Sequence, residues 1–142
     1  MASEHLPTGL VLVSHSDVLL EGLHAMAAQV AGDDVVLLTA GGTDDGRLGT
    51  SADKIGSALR AALDRADDVL VLLDLGSALL SLEVALATLE PAERNRVRVA
   101  QAPLVEGTIV AAVQASLGAD IDAVTTAAEQ ASTLPKGVGP GR

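Results

Sequence analysis

A chain of 142 residues, 49% hydrophobic, with 14 glycines and no Phe, Tyr, Trp or Cys, suits one domain built on an aliphatic core of Val, Leu, Ile and Ala. Lacking aromatic rings it has no platform for stacking bases, and 9 basic against 19 acidic residues, a net charge of −10, oppose nucleic acid and anionic membrane surfaces as partners. The lack of cysteine excludes disulfides, thiolate nucleophiles and cysteine-ligated metals.

Residues 1–9 have neither the basic start nor the apolar stretch of a signal peptide. The longest apolar runs, such as residues 69–73, fall far short of the roughly 20 residues of a membrane span. A cytoplasmic protein is expected.

Residues 9–14 read as a buried strand, followed by a turn at His15 and a helix that Ser16 or Asp17 caps. Leu19, Leu23, Met26 and Val30 are spaced as one buried stripe of that helix, and Gly32 ends it. Residues 34–39 form a second strand, and the glycine-rich residues 40–49 a loop. Thr50 or Ser51 opens a second helix with Ile55, Leu59, Ala62 and Leu63 on one face. Residues 68–73 are a third strand, broken at 74–77, and residues 78–89 a third helix stopped before Pro91. A weaker strand at 97–100, a turn at 102–107, a helix at 108–117 and a last helix from the Asp120 cap to about Ala131 complete the domain. Residues 1–131 are thus the expected domain, and 132–142 a flexible tail or the start of a linker.

Strands that are apolar on both faces and alternate with helices predict an α/β fold: a single doubly wound, mainly parallel sheet of four to five strands, with helices on both faces. Ligands of such sheets lie beyond the carboxyl ends of the strands at the switch point. Residues 14–16, 39–43 and 74–77 should meet there.

His15 then falls between a buried strand and a helix N-terminus, where unpaired N–H groups and the helix dipole favour an anion. An imidazole so placed can attack phosphorus, and the same N–H groups would hold the product. Asp74 ends the third strand. With strand order 2-1-3 it faces His15, where a carboxylate fixes the imidazole tautomer and leaves the far nitrogen free. Each residue also has a plain reading, His15 as a solvated turn residue and Asp74 as a helix cap. His5 lies in the N-terminal segment, and His24 within the first helix reads as structural. The histidines lack metal-ligand spacing, and no metal is expected; Asp44 and Asp45 read as solvated. The glycine-rich loop lacks the lysine of a nucleotide phosphate loop.

LVSHS at 12–16, AGGTDD at 40–45 with Gly49 and Thr50, DLGSALLS at 74–81 and APLVEG at 102–107 occur in this order. Together they resemble the subunit M family of bacterial dihydroxyacetone kinase phosphotransferases, whose N-terminal domain belongs to the mannose-type enzyme IIA group. The resemblance runs from about Gly9 to Ala131. It implies that His15 is phosphorylated, by analogy on Nε2, and that Asp74 supports it. Ser16, Gly41, Gly42, Thr43, Gly76 and Ser77 are expected to support the phosphate and its loops. It also implies a phosphotransferase component of a phosphoenolpyruvate-dependent kinase, a homodimer that binds no cofactor itself. The phosphocarrier HPr would be the donor, and ADP on the nucleotide-binding kinase subunit the acceptor, becoming ATP. A sugar-specific enzyme IIA and a non-enzymatic regulatory or scaffold domain are the alternatives. An apolar rim of Leu75, Leu79, Leu80, Leu104 and Val105 is expected around the histidine.

Overall fold

The computed structural model describes residues 5–137. Four strands, β1 (Leu6–Ser14), β2 (Val36–Gly41), β3 (Ala66–Leu73) and β4 (Val97–Val99), form one sheet in the order β2-β1-β3-β4. All three pairings are parallel, with Val13 opposite Ala40 on one side and Leu73 on the other. Helices α1 (Asp17–Ala31), α5 (Leu104–Ser116) and α6 (Ile121–Gln130) supply the core on one face, with Leu10, Leu12, Leu70 and Leu72 from the strands. Helices α2 (Ala52–Leu63) and α3 (Ala78–Ala87) supply the other, with Val11, Val13, Val69 and Val71. The strand period of two sends the leucines to one side and the valines to the other. Each fully buried Leu contributes roughly 1.5–3 kcal/mol.

The capping signals hold. Ser16 Oγ accepts the Leu19 N–H, Ser51 Oγ the Lys54 N–H and Asp120 Oδ1 the Ala123 N–H, each satisfying an orphan donor of a first helical turn. Gly32 ends α1 at φ +76°, its N–H bonded to Ala28 O.

Several expectations are corrected. The buried stripe of α1 is Leu20, Leu23 and Ala27; Leu19, Met26 and Val30 are exposed. Apolar residues occupy most sides of this helix, so its periodicity does not single out the face that α5 and the sheet accept. β2 runs through Ala40 and Gly41, which pair with Val13 and Ser14, so Gly41 belongs to the strand and not to the loop. α5 starts at Leu104, four residues before the expected 108, because Pro103 serves as its N-cap and the Gly107 N–H bonds Pro103 O. Gly107 is there for close packing: a Cβ would sit 3.1 Å from both Ala102 Cβ and Leu72 Cδ2. Pro91 opens a further short helix, α4 (Pro91–Arg94), where only a stop was expected. β1 and β3 begin earlier than expected, at Leu6 and Ala66, which pair with each other. After α6 the chain makes a 3₁₀ turn at Ala131–Thr133; of the expected tail, residues 138–142 lie outside the described residues.

β2 is an edge strand, and two of its outward carbonyls are occupied. His24 Nε2 donates to Leu37 O at 3.2 Å and Lys54 Nζ to Gly41 O at 2.9 Å. None of the described helices is long and apolar enough to cross a membrane.

Candidate active site

The carboxyl ends of β1 and β3 stop side by side. Beyond the Val13–Leu73 pair the ladder gives way to side-chain bonds, with Asp74 N–H still reaching Val13 O at 3.1 Å. Asp74 then turns back across the gap. Its Oδ2 accepts the His15 N–H and the Ser14 hydroxyl, both at 2.9 Å, and its Oδ1 accepts the Leu75 N–H at 2.7 Å. His15 Nδ1 lies 3.1 Å from Oδ1 and 3.2 Å from Oδ2. Asp74 is no helix cap, for the residue at the N-cap of α3 is Ser77.

Burial pushes the Asp74 carboxyl up, but the bonds from His15 N–H, Ser14, the His15 ring and Leu75 N–H outweigh it and hold the group below the ordinary aspartate range. An ionised carboxylate only accepts, so the hydrogen sits on Nδ1 and the lone pair on Nε2. Ser77 Oγ is 3.1 Å from that nitrogen and can donate to it. The His15 side chain is 28% exposed and that of Asp74 14%, so the ring is the more open member of the pair, and the Nε2–Ser77 contact is an exposed one.

The backbone around His15 is clamped as well. Gly42 N–H bonds Ser14 O at 3.1 Å and Gly49 N–H bonds His15 O at 2.9 Å. The loop that brings these glycines in is closed by Thr43, whose N–H bonds Arg47 O and whose hydroxyl accepts the Arg47 N–H. Gly42 has φ +74°, a conformation that favours glycine, and a Cβ there would lie 3.0 Å from Arg47 O. Gly41 has no room for a side chain, since a Cβ would meet Asp17 Cα at 2.8 Å.

The expected residues thus divide. His15, Asp74 and Ser77 meet directly. Ser16 spends its hydroxyl on capping α1, Gly41 and Gly42 pack the strand end and loop, Thr43 organises the loop, and Gly76 accepts the Leu79 N–H with its carbonyl, with open space where a Cβ would stand. Of the expected rim, Leu75, Leu79, Leu80 and Val105 are exposed, whereas Leu104, the first residue of α5, is buried in the core and is no rim residue. Ser14 and Leu75 lie in segments the sequence brings to this end and Gly49 in its glycine-rich motif, but the Ser14 hydroxyl and the Leu75 N–H as partners of Asp74, and the Gly49 N–H as partner of His15, have no signal in the sequence. A groove of about 660 Å³ runs along β2 past Asp17 and Lys54 and does not include His15. A smaller one of about 380 Å³ adjoins Asp74 between Leu75, Gly76, Leu79 and Gln101. His5 lies at the other end of the sheet, 3.3 Å from Asp67, and His24 covers the edge strand. No group of three or more His, Cys, Asp or Glu poised for a metal occurs among the described residues.

The chain is 47% identical over 125 residues to the phosphoryl donor subunit DhaM of the PEP-dependent dihydroxyacetone kinase of Pantoea ananatis, covering 86% of this chain and 26% of that one. It is 40% identical over 115 residues to the phosphoryl donor subunit DhaM of PEP-dependent dihydroxyacetone kinase 2 of Listeria innocua, covering 81% of this chain and 91% of that one. The chain therefore spans about a quarter of the first relative and nearly all of the second. A crystallised protein of unknown function, EF1359, superposes with a TM-score of 0.78 at 32% identity, covering 88% and 95% of the two chains. The model of the EIIA-man family, described as the PTS system fructose IIA component, matches residues 9–125, and the chain belongs to that family.

Proposed function

We propose that this protein is a phosphohistidine carrier. A phosphoryl group arrives on Nε2 of His15 and leaves from it, while Asp74 holds Nδ1–H throughout. The observation that carries this reading is the pairing of Nδ1 with a partly buried carboxylate at 3.1 Å while Nε2 makes only an exposed contact with Ser77 Oγ. In the forward step the donor's N–P bond breaks as the Nε2–P bond forms. The ring then carries positive charge shared between Nδ1–H and the phosphorylated nitrogen, which the carboxylate offsets. Transfer through a loose transition state asks mainly for position and charge. In this reading Ser77 Oγ, released from Nε2, donates to the phosphoryl oxygens, with Gly76 beside it in the same turn. Ser16, Gly41, Gly42 and Thr43 support the loop and helix start that hold His15 still.

The names of the relatives support a phosphoryl donor subunit of a PEP-dependent dihydroxyacetone kinase; on that basis our reading takes HPr as the donor and ADP on the nucleotide-binding subunit of the kinase as the acceptor. In the second step the Nε2–P bond breaks, a bond to the terminal oxygen of ADP forms, and ATP is made on that subunit. Nucleotide stays with the acceptor, and the work belongs to the cytoplasm. Both partners dock in turn on the exposed Leu75, Leu79, Leu80 and Val105. The exposed Leu19, Met26 and Val30 of α1 support assembly as a homodimer, to be read by light scattering.

Incubation with phosphoenolpyruvate, enzyme I and HPr should add one acid-labile phosphoryl group by intact mass, and the acceptor subunit with ADP should remove it. A chain that stays unmodified is a scaffold. The description of the family as a sugar IIA component favours a second reading, in which a sugar-transporter subunit takes the phosphoryl group; discharge by that subunit and not by the kinase subunit would select it.

A further inference from the structure

Ser14 is the last residue of β1 and is fully buried after a run of apolar residues. A hydroxyl in such a place is costly unless bonded. Both its capacities are used. Its Oγ accepts the Ser16 N–H at 2.9 Å and donates to Asp74 Oδ2 at 2.9 Å. A backbone N–H only donates and a carboxylate only accepts, so the hydroxyl proton has one place to go.

The direction of that proton matters because of what else Asp74 does. Two backbone donors hold it, the His15 N–H at Oδ2 and the Leu75 N–H at Oδ1, and Nδ1 of the ring bridges both oxygens. Without the Ser14 hydroxyl, Oδ2 keeps one fixed donor besides the ring. With one of its three fixed donors gone the carboxylate is held less tightly in its rotation, and the ring can follow it or change tautomer.

We propose that Ser14 is a positioning residue for the nucleophile: its hydroxyl, locked by the Ser16 N–H, sets the rotation of the Asp74 carboxylate and through it keeps hydrogen on Nδ1 and the lone pair on Nε2 of His15. Ser14 acts only through Asp74 and touches no phosphoryl group. The inference rests on His15 as the phosphoacceptor and adds the device that keeps it in the reactive form.

The test compares the intact protein with Ser14→Ala, Ser14→Thr and Ser14→Cys. The first readout needs no phosphate: the ¹⁵N shifts of Nδ1 and Nε2 at neutral pH report the tautomer. The second is the rate of His15 phosphorylation by phosphoramidate, a small donor that needs no protein partner. In Ser14→Ala the Nε2–H tautomer should appear and the rate should fall about 10-fold, the low end of the loss on removing an outer partner of a ligand histidine. Ser14→Thr, which keeps the hydroxyl, should restore both. If Ser14→Ala does not fold, Ser14→Cys decides, its weak thiol donor giving intermediate values. Wild-type tautomer and rate in either variant, with the fold intact by backbone NMR, would overturn the proposal. If the parent protein accepts no phosphoryl group from phosphoramidate or from HPr, the carrier reading fails, and the tautomer comparison still decides the role of Ser14.

Discussion

A charged side chain meets each end of β3, Arg96 from just before β4 at its start and Asp74 from just beyond its finish, and the two do opposite things. At its start, Arg96 donates Nε–H to Asp67 O at 2.7 Å and Nη2–H to Leu63 O and Ala66 O at 2.7 and 2.8 Å. At its finish, Asp74 accepts the N–H groups of His15 and Leu75. Each ion satisfies backbone groups that the end of a parallel ladder leaves loose. Arg96 directs two of its three guanidinium nitrogens at main-chain carbonyls. Asp74 keeps capacity for an imidazole that is partly exposed and whose far nitrogen meets only Ser77 Oγ among the hydrogen bonds of the described residues. One device therefore serves stability at one end and chemistry at the other, and the difference is only what the last hydrogen bond is made to.

The sharpest way to break this contrast is His15→Ala. It should abolish phosphoryl uptake by intact mass and leave the melting temperature close to that of the parent, since the ring is partly exposed and its loss removes no backbone partner. Next in size is Asp74→Asn. Converting an orienting aspartate to asparagine in a serine-hydrolase triad costs ~10⁴-fold in rate, and a smaller loss is expected here because the backbone still positions His15. Stopped-flow transfer from phosphorylated HPr checks it; an unchanged rate would make Asp74 purely structural. Arg96→Met should do the reverse. Hydrogen bonds from charged groups contribute about 1.5–3 kcal/mol, so unfolding in urea should lose at least about 2 kcal/mol while the rate per folded molecule stays the same.

The smallest effect is one of pH. Asp74 titrates lower in the folded chain than in the unfolded one, so at mildly acid pH the unfolded state binds more protons. The stability this adds is complete above the ordinary aspartate range and is lost as pH falls through the lowered folded value. Urea midpoints of parent and Asp74→Asn, measured across that range, should converge on acidification. A constant difference would show that the carboxylate's charge is not what holds the turn.

Much of this was legible from residues alone, for identifiable reasons. β1, β3 and α2 stood out because continuous aliphatic runs and a one-sided face leave a single period to choose. His15 and Asp74 stood out because a strand end followed by a polar residue is where open α/β sheets place their chemistry. What escaped depended on neighbours distant in sequence. Pro103 and Gly107 look like turn residues until Leu72 and Ala102 are seen to need the space a Cβ would take. The face of α1 could not be chosen, since nothing in its apolar residues says which side α5 covers. Ser14 looks like any serine closing a strand until Asp74, sixty residues away, arrives on its hydroxyl.

The covered carbonyls of β2 have a consequence for behaviour in crowded solution. An all-parallel sheet with an open flank is a template on which another chain can lengthen the ladder. With His24 and Lys54 seated on Leu37 O and Gly41 O, an incoming strand would have to evict two side chains before making its own bonds there. Strand-by-strand growth into fibres is discouraged on that flank, and the net charge of −10 adds mutual repulsion between copies. Contacts at the histidine-bearing end of the strands can then form and dissolve without seeding assemblies along the side.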